Sequence, residues 1–149
     1  MNEHIKFMEL ALEQANKALN CADVPVGAVI VKDGKVIAKA HNMRQKNQIS
    51  THHAEILAIE QACKYLGSWH LDGCSIYVTL EPCPMCAGAI INSRISDVYF
   101  GAKEEKSGSL GSVINLFALD YNFTPRIHYG ILENECRALL SDFFENLRK

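Results

Sequence analysis

Four residues in two short segments have the types and spacing of a metal-centred active site. They are His53 and Glu55 in Thr51-His52-His53-Ala54-Glu55, and Cys83 and Cys86 in Thr79-Leu80-Glu81-Pro82-Cys83-Pro84-Met85-Cys86. A catalytic zinc site uses three protein ligands and leaves a fourth position open for water. His53, Cys83 and Cys86 supply three, so one zinc ion per chain is expected. Glu55 is left as a carboxylate near the metal but off it. Zinc lowers the pKa of bound water from about 15.7 towards about 7, making hydroxide available at neutral pH. A carboxylate whose pKa is raised by partial desolvation can then carry protons for a hydrolysis.

Two other readings of the same residues stand beside this one. A lone C-x-x-C is also the spacing of a redox pair, although such pairs sit in a thioredoxin-like setting without an H-x-E partner. A structural zinc site would close its fourth position with another Cys or His. His52 is the nearest candidate, but adjacent side chains at a helix start point apart, and a closed site has no use for Glu55. His4, His41, His70 and His128 show no ligand spacing and read as surface or packing residues. Cys21, Cys63, Cys74 and Cys136 lack partner spacing and read as small buried apolar residues or bystanders.

The elements around the two segments must bring them together. Pro84 suits the first position of a helix, where its missing N–H costs nothing. That puts Cys83 at the cap and Cys86 about one turn in. Residues two apart on a regular helix diverge by roughly 200°, so His53 must sit at or just before the first turn for Glu55 to converge with it. Two helix N-termini then aim at one point, where their partial positive charge favours thiolate over thiol.

Residues 3–20 place Ile5, Met8, Leu12, Ala15 and Leu19 on one helical face. Strands are expected over 26–31 and 36–40, joined by a hairpin turn at Asp33-Gly34. The polar stretch 42–51 reads as loop, and helical spacing returns over 53–66. Further strands are expected at 75–80, 97–100 and 126–129, with helices over 85–94, 113–119 and 133–147 and a Gly/Ser-bearing loop at 103–112. Helices alternating with strands imply an α/β fold with helices on both faces of a sheet. The 149 residues, with no repeat, linker or low-complexity tract, suit one domain.

Hydrophobic residues make up 48% of the chain and charged ones 21%, enough for a core without disulfide staples despite six cysteines. No run approaches the ~20 apolar residues of a membrane span. The start, Met-Asn-Glu-His-Ile-Lys, lacks a secretory pattern, so a cytoplasmic location without a membrane is expected. The net charge of -2 gives no global signature of nucleic-acid binding, and any RNA contact must use a local basic patch.

H-A-E at residues 53–55 with P-C-x-x-C at 82–86 resembles the cytidine deaminase-like zinc deaminases, whose signature this is. The likeness extends over nearly the whole chain to the bacterial tRNA adenosine deaminases. It is carried by Asp23-Val24-Pro25-Val26-Gly27-Ala28, the neighbourhood of Asn42, Cys86-Ala87-Gly88-Ala89, Ser93-Arg94-Ile95 and Phe100-Gly101-Ala102. Ser107-Gly108-Ser109-Leu110-Gly111-Ser112 and Leu140-Ser141-Asp142-Phe143-Phe144 complete it. The resemblance implies a three-layer α/β/α fold around a mixed sheet of about five strands. It also implies a homodimer that converts adenosine to inosine at the wobble position of a tRNA anticodon. The anticodon loop would be the partner. Glu55 would move the protons, and the flipped base would enter a pocket formed by the strand from Val26 to Ala28, Asn42 and the zinc site. Phe144 and the loop 103–109 match segments that touch the anticodon loop. Phe144 reads equally as packing of the last helix; for Asn42, an amide that can both donate and accept favours contact with the target nucleotide over a turn-forming loop role.

His52, Asp23 and Glu104 depart from the family's usual residues, which bears on how substrate is held. Lys103, Lys106, Arg126, Arg137, Arg148 and Lys149 are candidate phosphate contacts. The alternatives to tRNA deamination are deamination of a free nucleobase or nucleoside such as guanine or cytosine, and a non-catalytic zinc-stabilised binding module.

Overall fold

The computed structural model describes residues 2–148, so Lys149 lies outside the described residues. The element order is α1 (Asn2–Leu19), β1 (Gly27–Lys32), β2 (Lys35–His41), α2 (Arg44–Asn47), α3 (Ala54–Leu66), β3 (Cys74–Leu80), α4 (Pro84–Ser93), β4 (Asp97–Ala102), β5 (Arg126–Tyr129) and α5 (Glu133–Leu147). The strands form one mixed sheet in the order β2-β1-β3-β4-β5. β1 runs antiparallel to β2 and β3, whereas β3, β4 and β5 are parallel.

The β1–β2 hairpin turns through Asp33 and Gly34 at φ 51° and 76°. Positive φ at both central residues is what a right-twisted two-residue hairpin requires, and Asp-Gly tolerates it. Five successive residues of β1, Gly27 to Val31, are buried. Alternate residues face opposite sides of a sheet, so layers must cover both. α1 and α5 lie on one face, and α3 and α4 on the other. α1 comes unusually close because Ala11, Ala15 and Ala18 are fully buried along one side of it. A Cβ on Gly27 would stand 2.0 Å from the Ala11 carbonyl oxygen, so any larger residue would push the helix off the sheet. α5 approaches in the same way over Gly101, where a Cβ would meet the Cys136 sulfur at 2.3 Å. The core between the layers contains Met8, Ile30, Ile76, Val78, Ile90 and Val98, all fully buried. Each such side chain contributes roughly 1.5–3 kcal/mol by leaving water.

Two segments differ from their sequence-based expectation. The stretch expected as loop contains the four-residue α2, which buries no residue and therefore leaves no periodic trace. The helix expected over 113–119 is a single 3-10 turn, Leu116–Ala118, capped by the Asn115 side chain. Val113 and Ile114 are exposed, so the apolar spacing there reflects no buried helical face.

Candidate metal centre and catalytic cavity

α3 and α4 deliver the reactive residues from their N-termini. His53 caps α3 with extended backbone at φ -74° and ψ 154°, just before the helix begins. Its ring therefore escapes the 200° divergence and shares a direction with Glu55 in the first turn. Cys83 caps α4 at φ -76° and ψ 174°, Pro84 opens the helix, and Cys86 follows in the first turn. The His53 Nδ1 lies 3.7 Å from the Cys83 Sγ and 3.6 Å from the Cys86 Sγ. All three ligand atoms lie within 4.8 Å of one another.

The spacing can be tested against zinc. With Zn–S near 2.3 Å, Zn–N near 2.0–2.1 Å and tetrahedral angles, nitrogen and sulfur ligands stand about 3.6 Å apart. The observed separations fit, and one imidazole with two thiols is a donor set that zinc favours. The sulfurs are already poised for it. Hydrogen bonds from the Cys86 thiol, from His53 and from the Cys86 backbone N–H bring the Cys83 thiol down to about 4. The thiol of Cys86, the donor in that pair and buried, is raised correspondingly.

Glu55 is almost wholly buried and opens only onto the cavity beside this cluster. Burial pushes its carboxyl up to about 7, against the opposing pull of its backbone N–H and of His53. That is the range in which a carboxyl both accepts and returns a proton at neutral pH.

The cavity holds about 180 Å³. Val26, Asn42 and Phe144 line it, as does Val24. Phe144 reaches it from α5 while remaining 41% exposed. Ala28 is fully buried, paired between Ala40 and Val78 inside the sheet, and does not line the cavity. The cavity lies beyond the strand end, where Val26 sits, and Ala28 is too deep. The Asn42 Oδ1 accepts the Ala54 N–H at 2.8 Å, and its Nδ2 donates to the Val24 carbonyl at 3.1 Å. Asn42 thus fixes the start of α3 against the entry to β1.

Sequence reasoning passed over Arg44 and Glu81, which also line the cavity. The Glu81 carboxylate accepts the N–H groups of Glu104 (3.1 Å), Leu110 (2.9 Å) and Ser112 (3.1 Å), and a further bond from the Ser112 hydroxyl. It holds the loop 104–112 over the site. An acid ending an apolar strand beside the cysteine segment was the available signal. The Arg44 Nε is buried without a hydrogen-bond partner, 3.9 Å from an Asp23 oxygen. No periodicity marked it.

Of the three departures, Asp23 caps locally, accepting the N–H groups of Val24 and Gln45 at 2.9 and 3.0 Å. Glu104 lines the cavity, and the His52 ring meets the Asn47 amide at 2.9 Å. None of Lys103, Lys106, Arg126, Arg137 and Arg148 lines the catalytic cavity. Arg126 is paired with Asp97 and Arg137 with Glu133, while the Lys103 ammonium sits over the Tyr129 ring.

The MafB19-like deaminase family matches residues 2–148. A tRNA-specific adenosine deaminase of Bacillus subtilis (strain 168) is 47% identical over 150 residues, spanning 100% of this chain and 93% of the relative. The chain is a member of the tRNA-specific adenosine deaminase family. A solved structure from a study of A-to-I editing by tRNA deaminases at the wobble position superposes with a TM-score of 0.88 at 43% identity, covering 91% of this chain and 99% of that one. A guanine deaminase from Bacillus subtilis is more distant, with a TM-score of 0.64 at 32% identity, covering 96% of this chain and 92% of that one. The sheet order and the helices on both faces are therefore those of a tRNA-specific adenosine deaminase, the α/β cytidine deaminase-like fold. No helix among the described residues is long and apolar enough to cross a membrane.

Proposed function

We propose that this chain hydrolyses the exocyclic amine of adenosine at the wobble position of a tRNA anticodon, giving inosine and ammonia. His53, Cys83 and Cys86 hold one zinc ion, and Glu55 carries the protons. The full-length likeness to tRNA-specific adenosine deaminases carries the reading, and the cavity geometry supports it. A zinc ion held there supplies the Lewis acidity that makes water nucleophilic at neutral pH. Glu55 takes one proton from the attacking water and delivers it to the ring nitrogen. It then carries the second, from the newly added hydroxyl, to the amine as the C–N bond breaks, leaving the carbonyl and ammonia. Val24, Val26 and Leu80 give the cavity apolar walls that limit bulk water, and Asn42 keeps α3 in place. Phe144 offers a half-exposed ring on which an unpaired base of the anticodon loop can stack. The family resemblance supports a homodimer working in the cytoplasm.

The test is inosine formation in an unmodified tRNA bearing adenosine at the wobble position, with Glu55→Ala as control. Free guanine, cytosine and adenosine run in parallel. Inosine from tRNA with the unaltered chain alone is expected. Turnover of a free base with none on tRNA would replace this reading by small-molecule deamination.

A further inference from the structure

A second cavity, of about 370 Å³, opens between α1, the outer edge of β2 and α3. Lys17 from α1, Lys39 from β2 and Lys64 from α3 converge on it, with Glu60 as its one carboxylate. Among the described residues, none of the three ammonium groups has a carboxylate within ion-pair distance. Three like charges around one hollow repel unless an anion joins them. Gln14 supplies a second observation. The residue is largely buried, but its amide lines the hollow and makes no hydrogen bond among the described residues. That leaves the solvent-accessible amide free to reach into the lysine-lined space. An amide N–H with ammonium groups around it suits a phosphate oxyanion.

The position ties this hollow to the catalytic cavity. His41 and Met43 line it, whereas Asn42 and Arg44, alternating with them along the chain, line the other. The segment from His41 to Arg44, which leads from β2 into α2, forms the wall between the two. We infer that this cavity is a phosphate subsite that holds a backbone phosphate of the substrate RNA outside the catalytic cavity, an inference that rests on the tRNA reading above. The shared chemistry is the phosphate oxyanion, which a separate phosphate-bearing small molecule also carries.

The experiment compares the unaltered chain with the Lys17→Gln/Lys64→Gln double variant and with Gln14→Leu. Inosine formation from tRNA is followed across a salt series, and binding of inorganic phosphate is read from NMR shifts of the cavity residues. The lysines are exposed, so folding is unaffected by their exchange. The expected result is a several-fold higher KM for tRNA in both variants with kcat retained. The log–log salt dependence of the double variant should be shallower by about 1 per lost contact. An unchanged KM and salt slope, with phosphate shifts present in the unaltered chain and absent from the variants, would keep the subsite but assign it to a small molecule. No difference in either measurement would overturn the inference. Failure of the unaltered chain to make inosine would instead refute the tRNA reading, and the phosphate titration would still read the subsite.

Discussion

The Asn42 side chain accepts the backbone N–H of Ala54 at 2.8 Å, fastening the first residue of α3 to the end of β2. His53 and Glu55 flank that N–H, so the direction of both depends on it. Asn42→Ala leaves the buried Ala54 N–H unpaired and frees the Val24 carbonyl. Unpaired buried groups cost about 1–3 kcal/mol each. A lower Tm is expected, with zinc affinity reduced roughly 10–100-fold, the usual range for residues that orient a metal ligand. Thermal melting and competition with a chelator measure both. A variant with unaltered Tm and zinc affinity but a raised KM would make Asn42 a nucleotide contact alone.

The parts of this site legible in the sequence are those fixed by local geometry. His53 had to precede its helix because a regular turn would separate it from Glu55, and it does. Pro84 placed Cys83 and Cys86 at one helix start for an equally local reason. The Asp33-Gly34 hairpin was readable from the φ values that the turn demands. What was not readable depends on distant pairing. Glu81 finds its partners in N–H groups 23 to 31 residues further on, and nothing in either segment alone announces the match. The resemblance puts Ala28 with Val26 in the pocket, yet the sheet pairs Ala28 on both sides and begins only after Val26.

Glu55 should make the metal-free protein less stable as pH rises. Its carboxyl is raised by burial from 4.5 to about 7, so the folded chain keeps a proton that the unfolded chain has released within that window. The folded state then binds more protons, and the stability this group contributes is fully present below 4.5 and is lost as pH rises to about 7. The loss is on the order of 3 kcal/mol. Glu55→Gln removes the titration while keeping the shape. The variant should match the unaltered chain in denaturant midpoint near pH 4.5 and exceed it by pH 8, both after chelation, while losing inosine formation. Parallel pH profiles for the two proteins would show that Glu55 is not held protonated by burial.

Gly108 is the point at which the loop 104–112 touches its anchor. A Cβ there would stand 2.4 Å from both the Glu104 carbonyl oxygen and the Glu81 carboxyl carbon. The backbone oxygen cannot step aside, so Gly108→Ala must lift the loop. Overpacking of this kind costs about 1–3 kcal/mol. Glu81→Gln keeps the volume but weakens the acceptor of several N–H groups. Both variants should retain zinc and show a raised KM for tRNA, and limited proteolysis should cut the loop sooner. Loss of zinc without earlier cleavage would mean that Glu81 acts on the cysteine segment and not through the loop.

Arg44 brings a charge to the cavity wall without using all its donors. Its Nε is buried and unpartnered, and Asp23 lies 3.9 Å away, beyond hydrogen-bond reach. A buried donor left unpaired is costly, while the side chain as a whole is 39% exposed and lines the cavity, where its terminal N–H groups can meet an oxyanion or base acceptor. Arg44→Met keeps the stem and removes every donor, whereas Arg44→Lys restores charge without the planar fork. Arg44→Met should therefore leave Tm unchanged or higher and raise KM for tRNA about tenfold or more, on the scale of about 1.5–3 kcal/mol for hydrogen bonds to charged groups. Arg44→Lys should recover only part of that loss, because a point charge cannot reproduce the planar fork of the guanidinium. Steady-state kinetics on one tRNA separate the cases. Full recovery with lysine would reduce the role of Arg44 to charge, and an unchanged KM in Arg44→Met would leave its guanidinium without a function in substrate binding.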